Sequence, residues 1–296
     1  MSDKRPPAIT QAMIDAYDEY THLTLDRRKF MDRLKVLAGS AGAAAAIAPM
    51  LAASSASAAI IAPDDQRLET GRVAFEGAMG EVNAYFARPA NSAEKLPAVI
   101  VIHENRGLNA HIEDVTRRMA LEGFHAIAPD FLSVAGGTPS DEDKARAMIG
   151  DLDGAQTTED AVAAVGYLEG LDNTNGKVGA IGFCWGGGLV NQLAVNSPDL
   201  KAGVAYYGRQ PAAEEVAKIS AAMLLHYAGL DDRINAGIDA YRAALVAAGK
   251  DFTIHVYDGV NHAFNNDTSE ARYNKEAAEL AWSRTIAFLR EKLASE

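Results

Sequence analysis

The feature that most constrains the fold of this chain is the run "LPAVIVI" at 96–102, which is apolar and mostly β-branched. Such a run is typical of a strand that is buried on both faces of a sheet. Later runs have the same character: "HAIAP", "GKVGAIGF", "AGVAYYG", "AAMLLHYAG" and "FTIHVYDG". Helical patterns separate most of them. Repeated strand and helix units with short connections predict an α/β fold, with a mostly parallel central sheet and helices on both faces.

The sheet is expected to have an antiparallel edge and to belong to a single domain. Ahead of the central run, "RVAFEG" and "VNAYFARP" predict an antiparallel pair joined by the turn-like "AMGE". A long helical stretch later in the chain should break near Gly154. The 296 residues, 48% of them hydrophobic, suffice for one large core or two small ones. No internal repeat or second boundary is visible in 59–296, so one domain is expected there.

Charge and cysteine content exclude some classes of function. The formal net charge is -12, which offers no basic face for a phosphate backbone, so a nucleic-acid partner is not expected. The single cysteine excludes an intrachain disulfide. Its presence alone therefore does not decide between an oxidising and a reducing compartment.

Residues 1–58 differ in composition from the rest and predict a twin-arginine export signal. Arg27 and Arg28 precede "KFM", an alanine-rich run follows, and Ala56-Ser57-Ala58 fits a small-residue cleavage site. The domain would then begin at residue 59, in a periplasmic or secreted protein that uses the twin-arginine machinery. The alternative is an amphipathic helix with an alanine-rich tether in a cytoplasmic protein. The run is too rich in Ala, Gly and Ser to predict a stable membrane span.

Polar residues that follow the predicted strands define a candidate site, because ligands and catalytic groups of such sheets collect at the carboxyl ends of the strands. Four positions meet this criterion: 103–106 after "AVIVI", Cys184 after "VGAIGF", Asp231 with Asp232 after "LLHYAGL", and His262 after "IHVYDGVN". A nucleophile, then an acid, then a histidine is the chain order of the α/β-hydrolase triad. The expected architecture is therefore the α/β-hydrolase fold.

The stretch "AIGFCWGGG" predicts a sharp turn that exposes a nucleophilic sulfur. Gly182 and Gly186 flank Cys184 at a strand-to-helix bend, where close backbone contact leaves no room for a Cβ atom. The bend would place the sulfur at a helix N-terminus, which favours the thiolate. The alternative is a small, buried structural cysteine.

His262 is the candidate base, and Asp231 is preferred to Asp232 as the acid that orients it. Asp231 precedes Ile234 by three residues, a spacing common for this acid, whereas Asp232 is more simply a solvated loop charge. The alternative for His262 is a surface histidine in a polar loop. Four other histidines are less favoured, because they lie inside strand patterns or before the predicted signal: His22, His125, His226 and His255.

Several motifs in order resemble the dienelactone hydrolase (carboxymethylenebutenolidase) family: "VIVIHENRGLN", "HAIAPDF", "GAIGFCWGG", "AYYG", "YAGLDDRI" and "GVNHAF". The resemblance covers about residues 72–293. It implies that Cys184 is the nucleophile, His262 the base and Asp231 its orienting acid. Glu104 matches the family's glutamate near the cysteine, with a salt-bridged loop acid as the alternative.

The resemblance also implies an oxyanion hole and raises a question about substrate. The backbone N–H groups of Asn105 and Trp185 match the family's oxyanion hole. Val134 and Asn266 stand where the dienelactone enzymes carry arginines that bind the substrate carboxylate. Dienelactone itself is therefore in doubt as the substrate. Three other arginines at strand-end loops are candidates for substrate binding: Arg106, Arg209 and Arg233.

The expected function is hydrolysis of a small ester or lactone through a Cys-His-Asp triad and an acyl-enzyme thioester. A thiol-redox protein is an alternative, although the chain holds no resolving cysteine. A non-catalytic binding protein on a hydrolase scaffold is another, although it would normally have lost part of the triad. No cofactor is implied. No metal site is expected either, since the histidines are scattered and Cys184 has no ligand partner nearby in the sequence.

Overall fold

The computed structural model describes residues 8–22, 24–52 and 60–295. The strands are β1 (Leu68–Glu76), β2 (Glu81–Pro89), β3 (Leu96–Ile102), β4 (His125–Pro129), β5 (Thr174–Phe183), β6 (Ala202–Tyr206), β7 (Ala222–Ala228) and β8 (Phe252–Tyr257). The helices are α1 (Gln11–Thr21), α2 (Arg27–Ala38), α3 (Ala41–Leu51), α4 (Ala110–Leu121), α5 (Glu142–Gly150), α6 (Gly154–Glu169), α7 (Trp185–Asn196), α8 (Asp232–Asn235), α9 (Ile238–Ala247) and α10 (Lys275–Leu293).

The strands form one sheet in the order β1-β2-β4-β3-β5-β6-β7-β8. The strands from β4 to β8 in this order pair in parallel, while β1 with β2 and β2 with β4 are antiparallel. The predicted mostly parallel sheet with an antiparallel edge is confirmed. The predicted helix break also occurs, because Asp153 caps a new helix by accepting from the N–H groups of Ala155 and Gln156.

Two hydrophobic cores, one on each face of the sheet, explain why β3 is apolar along its whole length. Ile100 and Ile102 pack with α6, α7 and α9, whereas Val99 and Val101 pack with α4 and α10. Neighbouring side chains of a strand point to opposite faces, so both sets are buried. This arrangement fixes the carboxyl ends of β3, β5, β7 and β8 along one edge of the sheet.

The described parts of the N-terminal segment, 8–22 and 24–52, are mostly helical and packed, which the export interpretation did not predict. Helices α1 to α3 share a hydrophobic cluster that includes Tyr17, Phe30 and Leu51. Among the described residues no single helix is long and apolar enough to cross a membrane. Helices α2 and α3 reach that length and hydropathy only as a pair, and they are bent by 113° at their junction. The predicted cleavage site, Ala56-Ser57-Ala58, lies outside the described residues, and export stays a prediction.

Candidate active site

Cys184 lies in the strained turn between β5 and α7. Its φ of 55° and ψ of -115° lie outside the common regions for a residue with a side chain. The flanking glycines make the turn possible: a Cβ atom on Gly182 would lie 2.2 Å from the carbonyl oxygen of Gly186, and one on Gly186 would lie 2.4 Å from that of His103. The turn therefore needs glycine on both sides of the cysteine.

His262 and Asp231 meet at the same edge of the sheet. The Nδ1 atom of His262 lies 2.5 Å from Oδ2 of Asp231, and both side chains are buried. The other carboxylate oxygen of Asp231 accepts from the N–H of Ile234 at 3.2 Å, which fixes the carboxylate. Asp232 begins α8 and is exposed. The structure thus places Asp231, and not Asp232, against the imidazole.

A second histidine, His22 at the end of α1, also contacts the sulfur. Its Nε2 atom lies 3.4 Å from Sγ of Cys184. The rings of His22 and His262 are nearly perpendicular, at 87°, with centroids 4.7 Å apart. Reasoning from the sequence dismissed His22, because it precedes the predicted signal.

The two histidines favour the thiolate form of Cys184. Burial by itself would raise the pKa of the thiol, but the positive charges of His262 and His22 outweigh it and lower the pKa to about 6. Burial would lower the pKa of His262, yet the negative charges of Asp18, Cys184 and Asp231 hold that pKa well above its ordinary value. Cys184 and His262 therefore each favour the charged form of the other.

Two residues that follow β3, Glu104 and Asn105, form hydrogen bonds with other parts of the site. The Glu104 carboxylate accepts from Nδ2 of Asn266 at 2.7 Å, and Glu104 lines a small cavity that it shares with Cys184. The side chain of Asn105 donates to the carbonyl of Thr21 at 2.6 Å. Asn266, which stands where the family resemblance leads one to expect an arginine, therefore holds Glu104 instead.

Trp185 occupies the first position of α7, directly after the cysteine. A backbone N–H at that position has no partner within its own helix, so it is available to an acceptor outside the helix. The indole ring stacks on His103, with centroids 5.2 Å apart. The loop after β3 and the start of α7 are thereby packed together, as an oxyanion hole made from Asn105 and Trp185 requires.

A cavity of about 600 Å³ opens beside the sulfur. Its lining combines apolar side chains with three arginines: Trp185, Ile149, Leu189, Arg146, Arg209 and Arg233. Two of the three arginines suggested as substrate ligands, Arg209 and Arg233, therefore lie at this cavity. Arg146, on α5, was not predicted, because a helical arginine carries no distinguishing pattern.

Arg106, the third suggested substrate ligand, does not line the large cavity. It is buried, lies 2.9 Å from the carboxylate of Glu142, and donates to the hydroxyl of Tyr17. These partners take up its charge and two of its donors. Arg106 thus contacts α1 and α5, and it lines the small cavity that contains Glu104 and Cys184. Val134 is exposed outside the cavity.

The sulfur and a ring nitrogen from each of His22 and His262 lie within 4.8 Å of one another, a set of ligands that Zn²⁺ accepts. Sequence spacing gave no hint of this cluster, because His22 is distant in the chain. Nη2 of Arg233, however, lies 2.9 Å from Nε2 of His22. This contact uses the lone pair of Nε2 that a metal ion would need.

Comparison with known proteins gives a consistent result. The family model described as "Dienelactone hydrolase family" matches residues 82–293. A protein of Saccharolobus solfataricus named "Putative carboxymethylenebutenolidase" is 34% identical over 246 residues, which are 71% of this chain and 94% of that protein. One of Escherichia coli K12 with the same name is 32% identical and covers 78% of this chain and 90% of its own length.

Solved structures show the same similarity. The crystal structure of a "Putative Dienelactone Hydrolase" from Klebsiella pneumoniae has a TM-score of 0.69 and 30% identity, and the match covers 76% of this chain and 99% of that one. The acylaminoacyl peptidase of Pyrococcus horikoshii has a TM-score of 0.62 at 15% identity, covering 78% of this chain and 43% of that one. At that identity the second similarity concerns the fold alone.

Proposed function

The chain belongs to the dienelactone hydrolase family, and from that premise we propose that it hydrolyses a small carboxylic ester or lactone through a triad of Cys184, His262 and Asp231. The observation that carries the proposal is the arrangement of these three groups. The sulfur stands on a strained turn at the sheet edge, a buried imidazole faces it, and a fixed carboxylate accepts from that imidazole at 2.5 Å. A nucleophile, a base and an orienting acid are what acyl transfer needs.

In the proposed acylation step, the electron pair of the Cys184 thiolate forms a bond to the carbonyl carbon, and the carbonyl π pair moves to oxygen. The N–H groups of Asn105 and Trp185 stabilise that oxyanion. When the carbonyl re-forms, the bond to the leaving oxygen breaks. Imidazolium His262 gives its proton to that oxygen, which leaves a thioester and a neutral imidazole.

In the proposed deacylation step, neutral His262 takes a proton from water while the water oxygen attacks the thioester carbon. The bond between carbon and sulfur then breaks, its electron pair returns to sulfur, and the carboxylic acid is released. A thiolate reacts readily with esters, lactones and thioesters, whose leaving groups depart easily, and poorly with amides. This difference defines the proposed substrate class.

The cavity beside the sulfur suggests that the substrate carries a negative charge. Arg146, Arg209 and Arg233 line it, against a single acidic lining residue, Glu215. A guanidinium binds carboxylate in a bidentate manner. A small ester or lactone with a free carboxylate therefore fits a space of about 600 Å³ better than a neutral one does.

The proposal is tested by assaying the purified full-length chain on aryl esters, lactones, thioesters and amides, with Cys184→Ser as the matched control. We expect turnover of the first three classes and loss of most activity in the variant, because the serine hydroxyl must be fully deprotonated by His262 during attack. Iodoacetamide should inactivate the wild type in proportion to modification of Cys184, the chain's one cysteine. Full activity after complete alkylation would remove Cys184 from the mechanism.

A further inference from the structure

Helix α1 is seated on the catalytic domain by specific polar contacts, not by apolar packing alone. Tyr17 and Tyr20 are buried and face arginines of the domain. The guanidinium of Arg272 lies 5.0 Å from the ring centre of Tyr17, and that of Arg146 lies 4.0 Å from the ring centre of Tyr20. The Tyr20 hydroxyl donates to the carboxylate of Asp143 at 2.7 Å.

The contacts of α1 extend into the loops that carry the catalytic groups. Asn105, whose backbone N–H is assigned to the oxyanion hole, donates through its side chain to the carbonyl of Thr21. Gln11 donates to the side chain of Asn261, the neighbour of His262. Arg106 is only 7% exposed and donates to the Tyr17 hydroxyl. Without α1, this buried arginine would lose a partner, which is costly.

His22 is oriented in the same way as His262. Its Nδ1 atom lies 2.8 Å from the backbone carbonyl of Asp18 and 3.4 Å from the carboxylate of that residue. These acceptors fix the proton on Nδ1 and leave Nε2 directed at the sulfur. Each imidazole beside Cys184 thus has an aspartate residue on its Nδ1 side, and Nε2 of His22 contacts both the sulfur and Arg233.

Helix α1 forms a wall of the active site without closing it. Thr21 and His22 line the 600 Å³ cavity together with Cys184, and the cavity continues past them to the arginines. His22 occupies one side of the sulfur, and the 600 Å³ cavity stays open on the other side. The geometry therefore leaves a substrate access to the sulfur with α1 in place.

Charged and titratable groups from several elements face His22: Asp18, Cys184, His262, Arg233, Arg272 and Glu104. Burial would lower the pKa of His22, but the charge of Cys184 and the hydrogen bond to Asp18 raise it to about 9. A guanidinium only donates, so the contact with Arg233 belongs to the neutral imidazole. In the protonated form Nε2 donates to the sulfur, and the exposed Arg233 can turn to Asp18, whose carboxylate is 3.9 Å away.

We propose that His22 is a second catalytic histidine of this site, in contact with the reacting sulfur, and that the functional protein retains α1. The proposal rests on the proposed Cys184 nucleophile. The role of His22 is specific to deacylation. There the sulfur leaves as thiolate, and His22, protonated at Nε2, donates to the sulfur as it departs. His262 takes the proton of water in the same step and becomes the second cation beside the sulfur.

The proposal conflicts with part of the export prediction. Cleavage after Ala58 would remove His22 and every contact of α1 described above. If α1 is retained, the working protein is not cleaved after Ala58. In the structure Arg27 is bound to the domain, with Nη1 lying 2.7 Å from the carboxylate of Asp143.

The first test compares the full-length wild type with His22→Gln in rapid mixing with an activated aryl ester. His255→Gln is the matched control, because His255 lies on β8 and lines neither cavity that contains Cys184. We expect His22→Gln to slow deacylation by about ten- to a hundredfold while acylation changes less. The acyl-enzyme should then accumulate as a larger burst, which a merely structural defect would not produce.

A second readout on the same variants is the pH dependence of alkylation of Cys184 by iodoacetamide. The apparent pKa of the thiol should rise in His22→Gln and stay unchanged in His255→Gln. If His22→Gln unfolds, His22→Asn provides the same measurement with a shorter side chain. Wild-type burst size and wild-type alkylation in a folded His22 variant would overturn the proposal. Retained activity in Cys184→Ser would instead overturn the proposed function.

The last test concerns retention. The chain is produced from its natural start in its host, active fractions are collected, and their N-terminus and intact mass are determined. We expect active protein to contain residue 22. Full activity with an unshifted thiol pKa in a chain that begins at residue 59 would show that His22 and α1 are dispensable.

Discussion

Replacing His262 with glutamine should abolish most of the thiolate that Cys184 holds near neutral pH. The pKa of this thiol is lowered from 9.0 to about 6, and at about 1.4 kcal/mol per unit this represents roughly 4 kcal/mol of preference for the charged form. Among the causes that lower it, the charge of His262 is the largest. We therefore expect the pKa to rise in His262→Gln toward the 9.0 of a free thiol, so that the thiolate fraction at pH 7 falls from about nine-tenths to a minor one.

The assay is the ultraviolet absorbance of thiolate as a function of pH. The thiolate signal comes from one residue, because Cys184 is the one cysteine of this chain. Cys184→Ser supplies the blank, and His255→Gln controls for loss of a histidine outside the site. In the wild type the activity should fall with decreasing pH through about 6, since protonation of the thiolate removes the nucleophile. If His262→Gln titrates at the wild-type pKa, the charge pairing inferred from the structure is wrong.

Three further predictions concern the turn, the acid and the cavity. Gly186→Ala should destabilise the fold by about 1–3 kcal/mol in urea unfolding, because its Cβ atom would overlap a backbone carbonyl of the neighbouring strand. Asp231→Asn should lower kcat by up to about 10⁴-fold through loss of the imidazolium's partner, whereas Asp232→Asn should leave kcat near wild type; equal effects would contradict the assignment. Arg209→Gln should raise KM for esters that carry a carboxylate more than for neutral esters, and an equal fold change in KM for both would exclude a role in anion binding.

The sheet and the turn at Cys184 were predictable because their signals are local. Apolar runs identify buried strands, and glycines on both sides of a cysteine after such a run identify the bend. The positions of Asp231 and His262 followed from one topological rule, that parallel strands end at a common edge. Both were therefore found without knowledge of any long-range contact.

His22 could not be found in this way. Its contact with Cys184 joins residues 162 positions apart, and an amphipathic pattern in α1 does not say which surface the helix packs on. The arginine pair that follows His22 also matches a twin-arginine export signal. That interpretation did not predict that the segment packs on the domain. The contacts of Arg106 could not be predicted for a related reason, since its partner Tyr17 lies in the same N-terminal segment.

The central claim is that turnover passes through a thioester on Cys184, and intact mass spectrometry of the quenched protein tests it most directly. The full-length wild type and Cys184→Ala are mixed with an activated acetate ester and quenched in acid during the first turnover. The account predicts that the wild type gains the mass of one acetyl group, mapped by proteolysis to the peptide that contains Cys184, and that Cys184→Ala gains none. Turnover by the wild type with no acyl group on Cys184, or with the acyl group on another residue, would contradict it.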